Sequence, residues 1–372
     1  MTAWTIDRLP FHVGVQTEPT NPGLPDELPF TLVADEARGL LVQAPAGETA
    51  SALERAYAAG SQPGTPMSPQ GAGRAYLDDF LDWLERVDGR SLDGLRVLEV
   101  GPGSGALLVE LARRGARCVG IDPSPAPVGL PDGVEYRSEP FDRDAFDERF
   151  DLIVHFTVLE HLAAPDEVLR DQLGLLAPGG RVACAVPDCG PAVAHGDLSM
   201  LFHEHINYFT EESLRALSAR LPATLETVER SAWGGLLYAS WAEGAPASGA
   251  AAPDAKAILA AYRERAEAAA QAIGTFLEAG GCGVYVPGRI VNYLALLDAD
   301  TSEIRFFDDD PALTGRYYPP FPIPVEARDG LAERLPARIL VASWSFGSAI
   351  RDRLAGDPAL AAIEVASFED LL

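Results

Sequence analysis

Apolar and polar positions along the chain repeat with two periods, and each change of period marks an element boundary. The short apolar run Leu95-Arg96-Val97-Leu98-Glu99-Val100 reads as a strand. It enters the glycine-dense turn Gly101-Pro102-Gly103-Ser104-Gly105, after which residues 106–114 carry a helical pattern. Strand-like runs follow at 117–121, 133–136 and 150–155, and a helix is expected over 166–170 behind Ala164-Pro165. Ala177-Pro178-Gly179-Gly180 reads as the end of that helix, ahead of a strand over 181–186. Strands alternating with helices predict a parallel, doubly wound sheet. Two further strand patterns, at 225–229 and 236–241, close the sheet near residue 242.

Upstream, residues 1–72 are rich in proline and glycine and read as an irregular arm holding one hairpin, from runs at 29–33 and 39–43. A helix beginning near Gln70 places Tyr76, Phe80, Leu81, Trp83 and Leu84 on one face, and Asp93-Gly94 closes it. Downstream, the small and proline-bearing run at 243–253 reads as a linker, followed by an alanine-rich helix from Asp254 to about Leu277. Alternation then resumes, with strands at 283–286, 303–307 and 338–343 and a helix at 290–297. The expected fold is therefore α/β. A Rossmann-like domain over 73–243 follows the arm of 1–72, and a smaller Rossmann-like domain over 244–372 comes last.

Composition narrows the function. The 372 residues are 47% hydrophobic and 23% charged, ordinary for a globular chain with a sizeable core. A net charge of −26 disfavours nucleic acid and anionic membrane surfaces as partners and leaves a small molecule as the expected one, with a protein partner left open. No apolar run approaches the roughly 18 residues of a membrane span, and the first residues lack a charged-then-apolar leader, so a cytoplasmic location is expected. Lys256 is the single lysine, which leaves Schiff-base chemistry almost no candidate. Cys118, Cys184, Cys189 and Cys282 form no CxxC pair, against both a zinc ribbon and a disulfide framework. His203, His205 and Cys189 are metal-ligating types without a regular ligand spacing, and no metal is expected.

The glycine turn carries the chemistry. Glycines let the backbone come close to a ligand, and the following helix start offers unpaired N–H groups. With the acid Asp122 downstream, this pattern also describes dinucleotide binding, and the glycines alone do not separate the cofactors. Glu99, directly before the turn, would repel a pyrophosphate and tolerate a cationic sulfonium ligand bearing an ammonium group. With that strand, the Phe150-Asp151-Leu152-Ile153-Val154 run, Leu159-Glu160-His161-Leu162 and Pro178-Gly179-Gly180 in order, the chain resembles the class I S-adenosylmethionine (SAM) dependent methyltransferases. The resemblance implies that Gly101, Gly103 and Gly105 line the methionine half of SAM and that Asp122 takes the ribose hydroxyls. Phe141 is the candidate adenine contact.

Phe307-Asp308-Asp309-Asp310-Pro311, Gly315-Arg316-Tyr317-Tyr318-Pro319, Pro322-Ile323-Pro324-Val325 and Ser343-Trp344-Ser345-Phe346 resemble the C-terminal domain of the sugar C-methyltransferases that act on nucleotide-linked keto-deoxysugars. That resemblance implies a Glu–His pair after the fifth strand as the base that removes a proton beside a ketone. The matching positions are Glu204 and His205, with His203 and Tyr208 beside them as further catalytic candidates. Five of the six histidines, His155, His161, His195, His203 and His205, lie between residues 155 and 205, the rim where a sheet of this type presents its substrate. The alternative for the same stretch is structural: Tyr208 and Phe209 pack a helix start, Thr210 caps it, and the histidines are loop residues.

The chain departs from the resembled family at three places. The paired CxxC motifs of its N-terminal zinc module are absent around Asp35–Gln43. A Tyr-x-Tyr-His-Ser segment reads Tyr57-Ala58-Ala59-Gly60-Ser61, and a lysine-bearing turn is shortened to Pro287-Gly288-Arg289. The expected activity is methyl transfer from SAM to carbon of a sugar-derived or amino-acid-derived intermediate in a specialised pathway such as antibiotic biosynthesis. Transfer to oxygen or nitrogen, and ring closure by internal displacement without methyl transfer, are the alternatives.

Overall fold

A computed structural model of the chain describes residues 3–11, 14–58, 71–245, 251–278, 280–344 and 346–371. Of the features read from sequence, Gln70, the 59–61 part of the Tyr57 segment, the 246–250 part of the linker and Ser345 lie outside the described residues.

The arm is more regular than its composition suggests. Strands β1 (Ala3–Pro10), β2 (Glu27–Asp35) and β3 (Leu40–Gln43) pair antiparallel, so the expected hairpin of β2 and β3 gains a third strand. In β1, Trp4 and Ile6 point inward while Thr5 and Asp7 point out, the period of a half-buried strand. Helix α1 (Glu48–Ala58), also not anticipated, buries Thr49, Ala52, Leu53 and Ala56 among the described side chains, too small an apolar face to stand out in sequence.

Helix α2 (Gly71–Asp88) buries Phe80, Leu81, Trp83 and Leu84 as expected. It leads into β4 (Arg96–Val100), α3 (Ala106–Arg113), β5 (Arg117–Ile121), β6 (Glu135–Arg137), β7 (Phe150–Phe156), α4 (Pro165–Leu173), β8 (Leu176–Pro187) and α5 (Gly190–His195). Strand β9 (Asn207–Tyr208) does not join the sheet of its neighbours. It pairs with β3 and completes the arm's four-stranded sheet. Helix α6 (Glu211–Ser218) and the antiparallel pair β10 (Ala223–Arg230) and β11 (Leu236–Glu243) follow. The seven-stranded sheet runs β10-β11-β8-β7-β4-β5-β6, with β4 to β8 parallel, the doubly wound order expected.

One boundary differs clearly. Pro178-Gly179-Gly180 does not precede the strand but lies inside β8, which starts at Leu176. The register against β7 shifts between Phe150 and Leu152, and a Cβ at Gly180 would stand 2.9 Å from the carbonyl oxygens of Ala177 and Phe150. The glycine is therefore used by a bulge within the strand.

The last part holds α7 (Ala255–Leu277), β12 (Cys282–Tyr285), α8 (Val291–Leu297), β13 (Arg305–Asp308), β14 (Val325–Ala327), α9 (Gly330–Glu333), β15 (Arg338–Val341), α10 (Gly347–Ala355), β16 (Glu364–Ser367) and α11 (Phe368–Leu371). Its five parallel strands run β14-β13-β12-β15-β16, a second Rossmann-like sheet. The long helix α7 is the central packing element here. One buried cluster joins Trp4, Ile6, Phe30 and Leu32 of the arm, Tyr262, Ala266 and Ile273 of α7, and Val284, Phe306 and Leu340 of the second sheet. No helix of the described residues is long and apolar enough to cross a membrane.

Candidate active site

The turn after β4 stands against the end of β5, where the Gly101 N–H donates to the Ile121 carbonyl at 2.9 Å. Gly101 has φ +71°, and a Cβ there would come within 2.6 Å of Val158 Cγ2. Gly103, with φ +51°, has no atom within 4 Å of the Cβ it lacks, so its backbone faces open space. The Gly103 N–H points at Asp122 Oδ2, 3.3 Å away, while Asp122 Oδ1 accepts from the Ser124 N–H at 2.8 Å. Gly105 begins α3 without any side-chain cap, leaving the helix's first N–H groups to a ligand or to water.

Glu99 lies on β4 between its partners Gly120 and Val154 and is 1% exposed. Its Oε2 has no hydrogen-bond partner among the described residues. Burial, and then the charge of Asp122, push its pKa up to about 8. An unpaired buried carboxyl is costly, and a cationic group on the ligand would restore its ionised form. These residues fit a sulfonium cofactor with an ammonium group better than a pyrophosphate. Phe141 is half-buried on the segment after β6, its ring 6.2 Å from that of Phe146.

A second polar corner forms beyond β7. Thr157 is held at φ +54°, a strained conformation for a β-branched residue, and leads into a single 3₁₀ turn over Leu159–His161. That turn is tied to the loop before β9 by several hydrogen bonds. The Ile206 N–H donates to the Glu160 carbonyl at 2.6 Å. Asn207 Nδ2 donates to the carbonyls of Leu159 and Leu162 at 3.1 and 2.6 Å, and His161 Nδ1 bonds the Glu204 carbonyl at 2.7 Å. From the arm, the Gln43 N–H donates to the Ile206 carbonyl at 2.8 Å. With its nitrogen turned toward the loop, the Gln43 amide donates to the carbonyls of His203 and His205 at 2.7 and 2.8 Å.

The result is a compact group. His161 and His205 meet edge to face at 5.0 Å, and His161 Nε2 lies 3.9 Å from Glu160 Oε1. One ligand atom from each of Glu160, His161 and His205 falls within 4.8 Å of the others, so among the described residues these three could hold a metal ion. Glu160 is 1% exposed and neither of its carboxyl oxygens has a hydrogen-bond partner among the described residues. Burial pushes its pKa up to about 8. Burial, and then the neighbouring His161, hold His205 down at about 3, so both imidazoles are neutral at pH 7.

The remaining expected residues separate. His203 is fully buried between Phe11 and Phe30, with Nε2 3.3 Å from the Leu9 carbonyl, and burial lowers its pKa to about 4. Tyr208 is buried too, its hydroxyl engaged by the backbone of Phe202. Both hold the loop in the core. The expected histidine-lined rim is also narrower than drawn: His155 is wholly buried in β7, and His195 is exposed at the end of α5 beside Trp344. Strand β7 points alternate side chains to opposite faces, so nearness in sequence did not mean a shared site. Thr210 caps α6 in a capping box with Ser213, as the structural reading of this stretch had it. Sequence reasoning missed Glu160 as a site residue and Gln43 as the strut that carries the arm to the site.

Residues 73–221 match the methyltransferase domain family. The ubiquinone biosynthesis O-methyltransferase of Aeromonas salmonicida (strain A449) is 36% identical over 112 residues, 27% of this chain and 47% of that protein. The enzyme of the same name from Bordetella avium (strain 197N) is 37% identical over 112 residues, 27% of this chain and 46% of that protein. The chain thus spans less than half the length of these relatives. Among solved structures, the N-methyltransferase NodS from Bradyrhizobium japonicum WM9, in complex with S-adenosylhomocysteine, is 21% identical, covering 52% of this chain and 98% of that one with a TM-score of 0.38. The 1,6-didemethyltoxoflavin-N1-methyltransferase of Burkholderia thailandensis is 17% identical, covering 57% and 95% with a TM-score of 0.37. The glycine turn, Glu99, Asp122 and the Glu160 corner all lie inside the segment that matches the methyltransferase domain family.

Proposed function

We propose that the protein is a SAM-dependent methyltransferase acting on a small-molecule acceptor. The observation that carries this reading is Glu99, a buried carboxyl with an unpartnered oxygen beside a glycine turn whose backbone faces open space. Bound there, SAM supplies a methyl group activated on a sulfonium. Glu99 receives the ammonium of its methionine half, Gly103 lets the backbone approach, and Asp122 accepts from the ribose hydroxyls. The acceptor lies on the other side, at the corner of Glu160, His161 and His205, where two neutral imidazoles meet edge to face and that of His161 is held by the Glu204 carbonyl. Glu204 contributes the carbonyl that fixes His161. The acceptor must release a proton as the methyl group arrives, and this corner handles it. Aligning acceptor and methyl group in a dry site accounts for much of the remaining acceleration.

Carbon of a biosynthetic intermediate is the first choice of acceptor atom, following the resemblance to the sugar C-methyltransferases. Oxygen is the second, favoured by the likeness to ubiquinone O-methyltransferases over the cofactor half. Calorimetry with SAM tests the cofactor reading: the wild type binds, and Glu99→Gln binds about 10–100-fold more weakly, the size of a hydrogen bond to a charged group. A screen of keto-sugar nucleotides and phenolic acids for release of S-adenosylhomocysteine then tests the reaction. With the acceptor found, His205→Ala lowers the rate by about 10²–10⁴-fold. Product formed without that release sinks methyl transfer and supports internal displacement.

A further inference from the structure

The Glu160 carboxyl is not used by the SAM contacts proposed above, and in the fold it is a cost. Its oxygens are buried, lack hydrogen-bond partners among the described residues, and face two imidazoles. Such a group in a native protein asks for a ligand.

We propose that Glu160, His161 and His205 form a binding site for one divalent transition-metal ion. Two imidazoles and one carboxylate are a donor set for Zn²⁺, Mn²⁺, Fe²⁺ or Co²⁺, whereas Ca²⁺ and Mg²⁺ prefer all-oxygen sites. The bond from His161 Nδ1 to the Glu204 carbonyl is an outer hydrogen bond of the kind that orients a ligating imidazole, and Nε2 is the ring atom nearer Glu160. The 3.9 Å between His161 Nε2 and Glu160 Oε1 is about half an ångström more than two ligands span on a tetrahedral ion with bonds of about 2.0–2.2 Å. The group as a whole, at up to 4.8 Å, draws in by about an ångström. The ligands come from two segments already locked together through Asn207, Ile206 and Gln43, so the site is pre-formed by the fold. A cation there is bound by the Glu160 carboxylate and takes the His205 lone pair, so that His205→Ala lowers the rate through loss of the ion and not of a base. It favours an acceptor with a keto or hydroxyl oxygen, whose neighbouring or own proton it acidifies. That last step rests on the methyltransferase reading; the metal site does not.

The test uses the full, tag-free chain stripped with a chelator. Equilibrium dialysis against Zn²⁺ is expected to give one saturable site, with affinity at least about 100-fold weaker in Glu160→Gln and in His205→Ala, since even outer partners of a metal site are worth 10–100-fold. His195→Ala, exposed and away from the cluster, keeps wild-type affinity. Co²⁺ provides a check without any variant: its visible spectrum shows nitrogen and oxygen ligation and no thiolate band, although Cys184 and Cys189 lie near enough to Glu160 to feel its charge. Absence of a saturable one-to-one site, undiminished binding in Glu160→Gln or His205→Ala, or a thiolate band overturns the proposal. Calorimetry with SAM on the stripped chain keeps the two readings apart: SAM binding without a metal site sinks only this inference, and a metal site without SAM binding sinks only the methyltransferase reading.

Discussion

Glu99 shows how one residue can serve a ligand at the expense of the fold. Its pKa rises from 4.5 to about 8 because burial disfavours the charged form and Asp122 adds like charge. A carboxyl whose folded pKa is raised costs nothing below its unfolded value, and its cost grows as pH rises to the folded value. Replacing it with the neutral isostere should therefore stabilise the ligand-free protein, and increasingly so at higher pH. The melting temperature of Glu99→Gln minus that of the wild type is expected to be near zero at about pH 4.5 and to grow to a plateau above about pH 8. Saturating SAM shrinks the difference, because it stabilises the wild type more than the variant. A difference that stays flat across this range would mean that the carboxyl has found a partner.

At the scale of elements, the glycine turn joins two different demands that a pair of substitutions separates. Gly101→Ala forces a Cβ to 2.6 Å from Val158 on top of a left-handed backbone, so it costs stability of about 1–3 kcal/mol and also displaces the segment leading to Glu160. Gly103→Ala meets no atom of the protein. It suffers only the backbone penalty, yet its methyl group occupies the space a ligand needs. Thermal unfolding is expected to rank Gly101→Ala as the less stable, while calorimetry shows SAM affinity lost in both. Retention of SAM affinity in Gly103→Ala would remove that turn from the cofactor site.

Across the whole molecule, the arm, α7 and the second sheet share one buried cluster, and the loop bearing His203 and His205 is pinned to the arm by β3 and Gln43. The expected boundary between arm and following domain is thus crossed by both a sheet and a core. Trp4 packs edge to face on Tyr262 of α7 at 5.5 Å and is 5% exposed. Trp4→Ala is expected to cost about 3–5 kcal/mol in urea unfolding. It should lower stability for probes in the arm and in the second sheet together, whereas a shift confined to the arm would show that the arm unfolds on its own.

The order of strands in the first sheet and the three central strands of the second were legible because each is a largely apolar run bounded by turns, broken only by Glu99 in Val97–Val100 and His155 in Leu152–Phe156, whereas the short edge strands β14 and β16 were not. Helix α1 and strand β9 were not, because one packs mostly through alanines and the other is two residues long. The sequence by itself determined the side proposed for the cofactor: β4, the glycine turn, Glu99 and Asp122 are brought together by local backbone geometry and one neighbouring strand, which short-range patterns encode. Only the tertiary structure decided the other side. Glu160 and His205 lie on separate segments without any periodic spacing, and their meeting depends on Asn207 binding backbone of the turn after β7 and Gln43 binding backbone of the loop before β9. The same packing drew His203 into the core, because a side chain's surroundings are set by what folds over it.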